Sequence, residues 1–450
     1  MRTTDNNGGK HLTVLQREDN PASLAAIAED LQAMANKNLR DLQRENPDLL
    51  VFPQSLGQYH DDIDKLPVFS LHEDMLLTTC NLMGFIGRNN TQLTIASRFS
   101  QEGEDSDYFL HYMLQKVFAV NIFKFDQTPS KENIWDFLLY LFPYYLKKAY
   151  SQGLYKAYRR EEYNDANVKG AIDVKRHIRA NIPFAGKIAY ITREHSYDNY
   201  VTQLIRHTIE HIKVHPWGSG ILTNDGEVRD IAGRICFITQ SSYKKNDRQK
   251  VINANLKPVT HPYFTEYKML QKICLRILRR EKLTFGQEKD KIYGLLFDGA
   301  WLWEEYLNTI LKDDFIHPEN KTGKHRQYLF DNFQPIYPDF ISRKENPKLV
   351  CDAKYTPLEK QKEYGENSER ATSIYYKTIA YMYRFKSDSG FLLFPHEETN
   401  INERYTIKGT NGKLTKLGLK IPRAAGSYSL FKDDIAQSEQ AFAQYLGSSS

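Results

Sequence analysis

Two short apolar runs, IYPDFI (336–341) and LVCDAKY (349–355), are each interrupted by a carboxylate, Asp339 in the first and Asp352 in the second. Runs of this length and composition read as strands, and the turn-rich SRKENPK between them joins the two as a hairpin. Side chains alternate along a strand, so Asp352 and Lys354 share one face. Pairing the two runs then brings Asp339 beside Asp352 at the same edge. A charge without a partner inside an apolar strand is costly, so two acids and a lysine kept there need a counterion or a chemical use. Pro338 has no amide hydrogen for a ladder and is expected at a strand start or on an outer edge. The bland alternative makes both aspartates turn or edge residues on a solvated sheet face.

The residue types fit phosphodiester hydrolysis. That reaction needs a hard cation, Mg²⁺ or alternatively Mn²⁺, to neutralise developing charge and activate water, and such ions take oxygen ligands. Asp339, Asp352 and the backbone carbonyl of Ala353 are the expected ligands. Lys354 adds a cation that stabilises charge at the scissile phosphate or orients the nucleophile. Upstream, YGLLFDGAWLWEEYLNTIL (293–311) reads as an apolar helix carrying Glu304 and Glu305, and Glu304 is the acid expected to complete the site. The candidate catalytic set is therefore Asp339, Asp352, Lys354 and Glu304.

The rest of the chain bounds this reading. Its 450 residues exceed one ordinary core, which implies two or three domains. Apolar residues at 41% and aromatics at 13% are enough to bury such cores and exclude a disordered chain. The net charge of +5 is compatible with nucleic acid but too mild to establish it. Cys80, Cys236, Cys274 and Cys351 are scattered without a CxxC pair, so reduced thiols in a cytoplasmic protein are expected, not a disulfide framework or zinc knuckle. The first residues, MRTTDNNGGKHL, hold no apolar signal region, and the stretch Phe137 to Leu146 is too short for a bilayer and contains Pro143. No membrane association is expected.

Helical spacing runs over Ser23–Leu42, Asp107–Val120, Ile134–Gly153, Asn199–Ile212, Glu266–Arg280 and Ile374–Phe385. The arms around Arg88-Asn89-Asn90 suggest a hairpin within Asn81–Phe99, Val168 onward reads as strand and turn, and His325–Phe330 as a strand. The helical pattern breaks over Gly286–Asp290. The expected fold is α+β or α/β and multidomain: a mixed partner-docking region over 1–285, a nuclease domain over 286–446, and a disordered tail over 447–450.

With those residues in view, the sequence resembles the McrC family, the nuclease subunits of modification-dependent McrBC restriction systems. The resemblance rests on LLFDGAWLWEEYL, IYPDFI, VCDAKY, a helix ending IAYMYRF and the strand GFLLFP (390–395). Upstream, VKGAIDVKRHIRANIPFAGKIAYITREHSYDNYVTQLIRHTIEHI is also similar, so the likeness extends from about Asn81 to Pro395. It implies a C-terminal PD-(D/E)XK, restriction-endonuclease-like domain with Glu304, Asp339, Asp352 and Lys354 in the family's acidic and lysine positions. It also implies DNA as substrate and a AAA+ GTPase partner of the McrB kind. One position departs: the helix after DAKY often presents a Gln to the site, and here Lys377 stands there.

Other signals compete. His207-Thr-Ile-Glu-His211 spells the inverted zinc-peptidase pattern, but no further acidic ligand is marked, so a structural helix is expected. Gly409-Thr-Asn-Gly412-Lys has the wrong spacing for a phosphate loop and reads as a hairpin turn. Arg176, His177 and Arg179, and the run Arg276, Arg279, Arg280 and Lys282, are candidate phosphate contacts or ordinary solvated faces. Three functions stay open: a nuclease subunit of a restriction complex, a free-standing nuclease, and a catalytically silent assembly or GTPase-activating subunit.

Overall fold

The computed structural model describes residues 1–15, 24–46, 49–53, 65–89, 91–100, 107–118, 131–214, 218–223, 225–279, 292–318, 327–331, 333–344, 348–356, 366–397 and 402–448. The chain divides into two compact units, one formed by Met1–Pro129 with Phe285–Ser450, the other by Ser130–Thr284. This corrects the expected single region over 1–285. The limit near 285 coincides with a unit boundary, but residues 1–129 belong with the C-terminal part. The physical cause is one strand.

That strand, Ile292–Asp298, is buried along its whole length and completes a five-stranded sheet otherwise made from N-terminal segments. It pairs antiparallel with Leu82–Arg88 and parallel with Leu49–Phe52. The run 293–311, read above as one apolar helix, is thus a strand followed by the helix Gly299–Leu311. A short run buried on both faces carries no period, so sequence alone does not separate strand from helix there. Asp298 marks the junction, its side chain accepting from the Ala300 amide at 3.0 Å and so capping the helix.

The expected hairpin at 81–99 is present, with Leu82–Arg88 paired to Thr91–Ala96. One core packs this sheet against the helix Leu24–Met34, through Ile27, Leu31 and Met34 on one side and Ile86, Leu93 and Leu296 on the other. At its rim Asp30 accepts from Arg88 (2.8 Å), Asn89 (2.7 Å) and Thr91 (2.8 Å).

The second large sheet of this unit has six strands in the order Phe315–Ile316, Phe340–Ser342, Leu349–Ala353, Ser389–His396, Lys413–Lys420 and Asn402–Thr406. Its central pairings, 349–353 with 389–396 and 389–396 with 413–420, are parallel. A parallel pair needs a crossover, and the helix Glu366–Phe385 supplies the first one. Met382 and Tyr381 of that helix are buried with Val350, Leu392 and Phe394 of the sheet. The run 336–341 is broken: Ile336 ends a separate hairpin (Gln327–Phe330 with Phe333–Ile336), and Pro338 lies between the strands. His325 lies outside the described residues. The Gly409 segment is a hairpin turn, with Gly409 at φ +81°, and the last helix, Tyr428–Ser448, extends into the expected tail.

The unit 130–284 holds a three-stranded antiparallel sheet (Ala157–Asp165, Ile188–Ser196, Ala171–Ile172) and several helices, among them Tyr200–Val214 and Tyr267–Arg279. The segment after Val168 also folds a short helix, Val174–Ala180, that the sequence reading did not anticipate. Among the described residues no helix is long and apolar enough to cross a membrane.

Candidate active site

The hairpin of Phe340–Ser342 and Leu349–Ala353 places Phe340 opposite Cys351, which sets Asp339 beside Asp352. The Asp339 amide donates to the Cys351 carbonyl (3.2 Å), and Asp339 Oδ2 accepts from the Ala353 amide at 2.7 Å. Both aspartates are buried, at 7% and 4% exposure. Lys354 Nζ lies 2.5 Å from Asp352 Oδ2 and donates to the Ala353 carbonyl at 3.1 Å. The Lys354 amide and the Trp303 indole both donate to the carbonyl of Leu393, at 2.8 and 3.3 Å. That shared acceptor ties the strand end bearing Lys354 to the helix turn bearing Glu304.

The electrostatics follow from this crowding. Burial pushes the Asp339 carboxyl well above the usual carboxylate range, the charges of Glu304 and Asp352 push it further, and Lys354 and the Ala353 amide only partly oppose them. The proton on Asp339 is therefore held more tightly than on a free carboxyl, because burial and neighbouring carboxylates penalise a further negative charge. Burial alone would lower Lys354, but Asp352, Asp339 and Glu304 outweigh it and hold the ammonium above its ordinary value. The Glu304 charge acts on both residues. The structure thus brings Glu304, Asp339, Asp352 and Lys354 together.

The donor set is carboxylate and carbonyl oxygen, the set a hard divalent cation takes. Among the described residues no three His, Cys, Asp or Glu side chains already converge on one ion position. Instead the Lys354 ammonium lies against Asp352 Oδ2 and the Ala353 carbonyl, two of the three expected ligand oxygens. A cation thus rests on two of the oxygens that a divalent ion would take.

Sequence reasoning missed several groups. Tyr381 is the buried residue of the helix 366–385 at the site, its phenol raised by burial and by the Asp352 and Asp339 charges. Lys377, one turn earlier, is exposed. His317 Nδ1 lies 2.7 Å from the Asp339 carbonyl, and its ring stacks on Phe340 at 5.0 Å. Neither has a motif; only an amphipathic register marks Tyr381, and nothing local marks His317.

The competing signals are used structurally. His207 is buried against Tyr243, ring centroids 4.8 Å apart, and burial lowers its pKa. Glu210 is engaged by Arg206 (3.0 Å) and Lys213 (2.9 Å). Arg176 donates to the carbonyls of Tyr163 and Tyr190 at 2.9 and 2.7 Å, so it braces its own sheet. Arg280 and Lys282 lie outside the described residues.

A family model described as "McrBC 5-methylcytosine restriction system component" matches residues 77–395. The chain belongs to the McrBC family. The McrBC match encloses all four residues of the candidate site and the whole unit 130–284. Among solved structures, the chain is similar to the refined half-complex from the tetradecameric assembly of Thermococcus gammatolerans McrB AAA+ hexamers with bound McrC. Identity there is 15%, covering 98% of this chain and 99% of that one, with a TM-score of 0.49. It is also similar to the cryo-EM structure of the Thermococcus gammatolerans McrBC complex, again at 15% identity, over 69% of this chain and 87% of that one, TM-score 0.32. No curated protein matches.

Proposed function

We propose that this McrBC-family chain is a Mg²⁺-dependent DNA endonuclease of the PD-(D/E)XK type, acting as the cutting subunit of a restriction complex. The observation that carries this is the convergence of Glu304, Asp339, Asp352 and Lys354 at one end of the six-stranded sheet, around an oxygen-only donor set. Asp339, Asp352 and the Ala353 carbonyl would hold the ion, which supplies charge neutralisation at the phosphate and an activated water. The Ala353 amide fixes Asp339 Oδ2, so that carboxylate needs no reorientation to serve. Lys354, the lone cation at this end of the sheet among the four site residues, stabilises the charge that develops on the phosphate as the bond breaks. Tyr381 bounds the site with ring surface, which limits water and strengthens each charge interaction inside it.

The same reading gives the chain a AAA+ GTPase partner of the McrB kind. Its support is the family match and the absence of a phosphate loop, since Gly409–Gly412 closes a hairpin. A net charge of +5 over 450 residues is also a weak basis for gripping DNA unaided. The test measures cleavage of DNA by the chain alone and with its cognate AAA+ protein, each with and without GTP and Mg²⁺. Cutting only by the GTP-loaded complex supports the subunit reading. Efficient cutting by the chain alone supports a free-standing nuclease, and stimulated GTP hydrolysis without any cutting supports a silent assembly subunit.

A further inference from the structure

Beside the candidate site lies a buried ion pair that the proposed chemistry does not use. Asp5, fully buried, accepts from the Arg98 amide at 2.6 Å and from Arg98 Nε at 3.0 Å, with a further contact from Nη2. Arg98 Nη2 also donates to Asn81 Oδ1 at 3.1 Å. The guanidinium sits 4.6 Å above the ring of Tyr355, the residue that follows Lys354. Tyr355 is itself 2% exposed, its hydroxyl against Met83 Sδ at 3.4 Å. On the acidic helix, Gly299 is held by the same cluster: its amide donates to the Asn81 carbonyl at 2.7 Å. A β-carbon at Gly299 would lie 3.0 Å from the Tyr355 ring, so ring and helix start are in direct contact.

Tyr355 is thus clamped between Arg98 and Gly299. The strand carrying Asp352 and Lys354 ends in that clamp, and the helix carrying Glu304 begins in it. We propose that Arg98, oriented by Asp5, is a positioning residue that sets Lys354 and Glu304 relative to one another through the Tyr355 ring. A partly buried guanidinium, hydrogen-bonded to a fully buried carboxylate and stacked on a ring, is held in a narrower geometry than a lysine or an apolar filler in the same space. It also gives residues 1–98 a reason to fold with the candidate site: they complete it. The inference rests on the nuclease reading only for its catalytic consequence.

Either single substitution, Asp5→Asn or Arg98→Met, changes the charge of a buried pair, and Arg98→Met strands the Asp5 carboxylate. The test is therefore the double variant Asp5→Asn/Arg98→Met in the full chain, with Asp30→Asn/Arg88→Met as a matched ion-pair control remote from the clamp. Melting temperature, amide hydrogen exchange without metal, and cleavage with Mg²⁺ are read together. The expected result is a melting temperature recovered relative to Arg98→Met, with exchange at the Gly299 and Lys354 amides faster by at least about tenfold than in the control. The cleavage kcat falls by at least about tenfold while the Kd for DNA is unchanged, as sub-ångström misplacement of reacting groups requires. Tyr355→Leu, which leaves the ion pair intact, reproduces both effects and keeps the test valid if the double variant does not fold. Unchanged exchange at Gly299 and Lys354 in the folded variants, or faster exchange with undiminished kcat, overturns the proposal. Faster exchange in a protein whose wild type cuts nothing under any condition refutes the nuclease reading and leaves the clamp standing.

Discussion

Replacing Lys354 by Met keeps the length of the side chain and removes its ammonium, which separates two roles that one residue holds. The ammonium lies 2.5 Å from Asp352 Oδ2 and donates to the Ala353 carbonyl at 3.1 Å. A divalent ion that takes those oxygens must first displace it. Breaking a hydrogen bond to a charged group costs about 1.5–3 kcal/mol, and the Lys354 side chain is 26% exposed, so solvent screening favours the lower half of that range. At about 1.4 kcal/mol per decade, the bound ammonium weakens metal affinity roughly tenfold. Lys354→Met should therefore bind Mg²⁺ or Mn²⁺ about tenfold more tightly than wild type. Cleavage, in contrast, should fall by about 10²–10³, the usual cost of removing a group that stabilises transition-state charge. Calorimetric titration with Mg²⁺ at pH 8, beside plasmid cleavage by the complete complex, measures both; the alkaline pH limits competition from proton uptake by Asp339. An unchanged or weaker metal Kd in Lys354→Met would refute the idea that the ammonium competes for the ligand oxygens.

Asp339→Asn should raise the melting temperature of the metal-free protein at pH 8 and abolish its stabilisation by Mg²⁺. The sign follows from the raised carboxyl: between its ordinary and its folded value the native state holds a proton that the unfolded state has lost, so stability declines as pH rises. The difference from wild type should accordingly shrink as pH falls toward 4, and scanning calorimetry in EDTA across that range checks it. Glu304→Gln should lower cleavage by at least about tenfold, whereas Glu305→Gln leaves it near wild type, because Glu304 is the helix acid whose charge is a leading influence on both Asp339 and Lys354. His207, buried neutral with its pKa lowered, contributes stability that is complete above the unfolded value and lost as pH falls below it. His207→Phe should flatten that acid loss in a thermal melt and leave the purified protein's metal content, read by elemental analysis, unchanged; loss of about one zinc per chain would reverse the structural reading.

The core of the candidate site was legible because it depends on short-range rules. A period of two places Asp352 and Lys354 on one face, and a hairpin of ordinary loop length sets Asp339 beside them. The choice of Glu304 was legible only as a preference; its charge on Asp339 comes from the way the helix 299–311 lies over the sheet. What the sequence could not decide was where Ile292–Asp298 belongs. Its seven residues are all buried, and an apolar run without periodicity states neither its secondary structure nor its partners. Only tertiary packing seats it between Leu82–Arg88 and Leu49–Phe52, more than 190 residues upstream in sequence, and so joins residues 1–129 to the C-terminal part. Tyr381, His317 and the Asp5–Arg98–Tyr355 clamp were silent for the same reason. Each gains its meaning from a contact across the fold, and such contacts are set by how buried faces meet, which no local pattern of residues records.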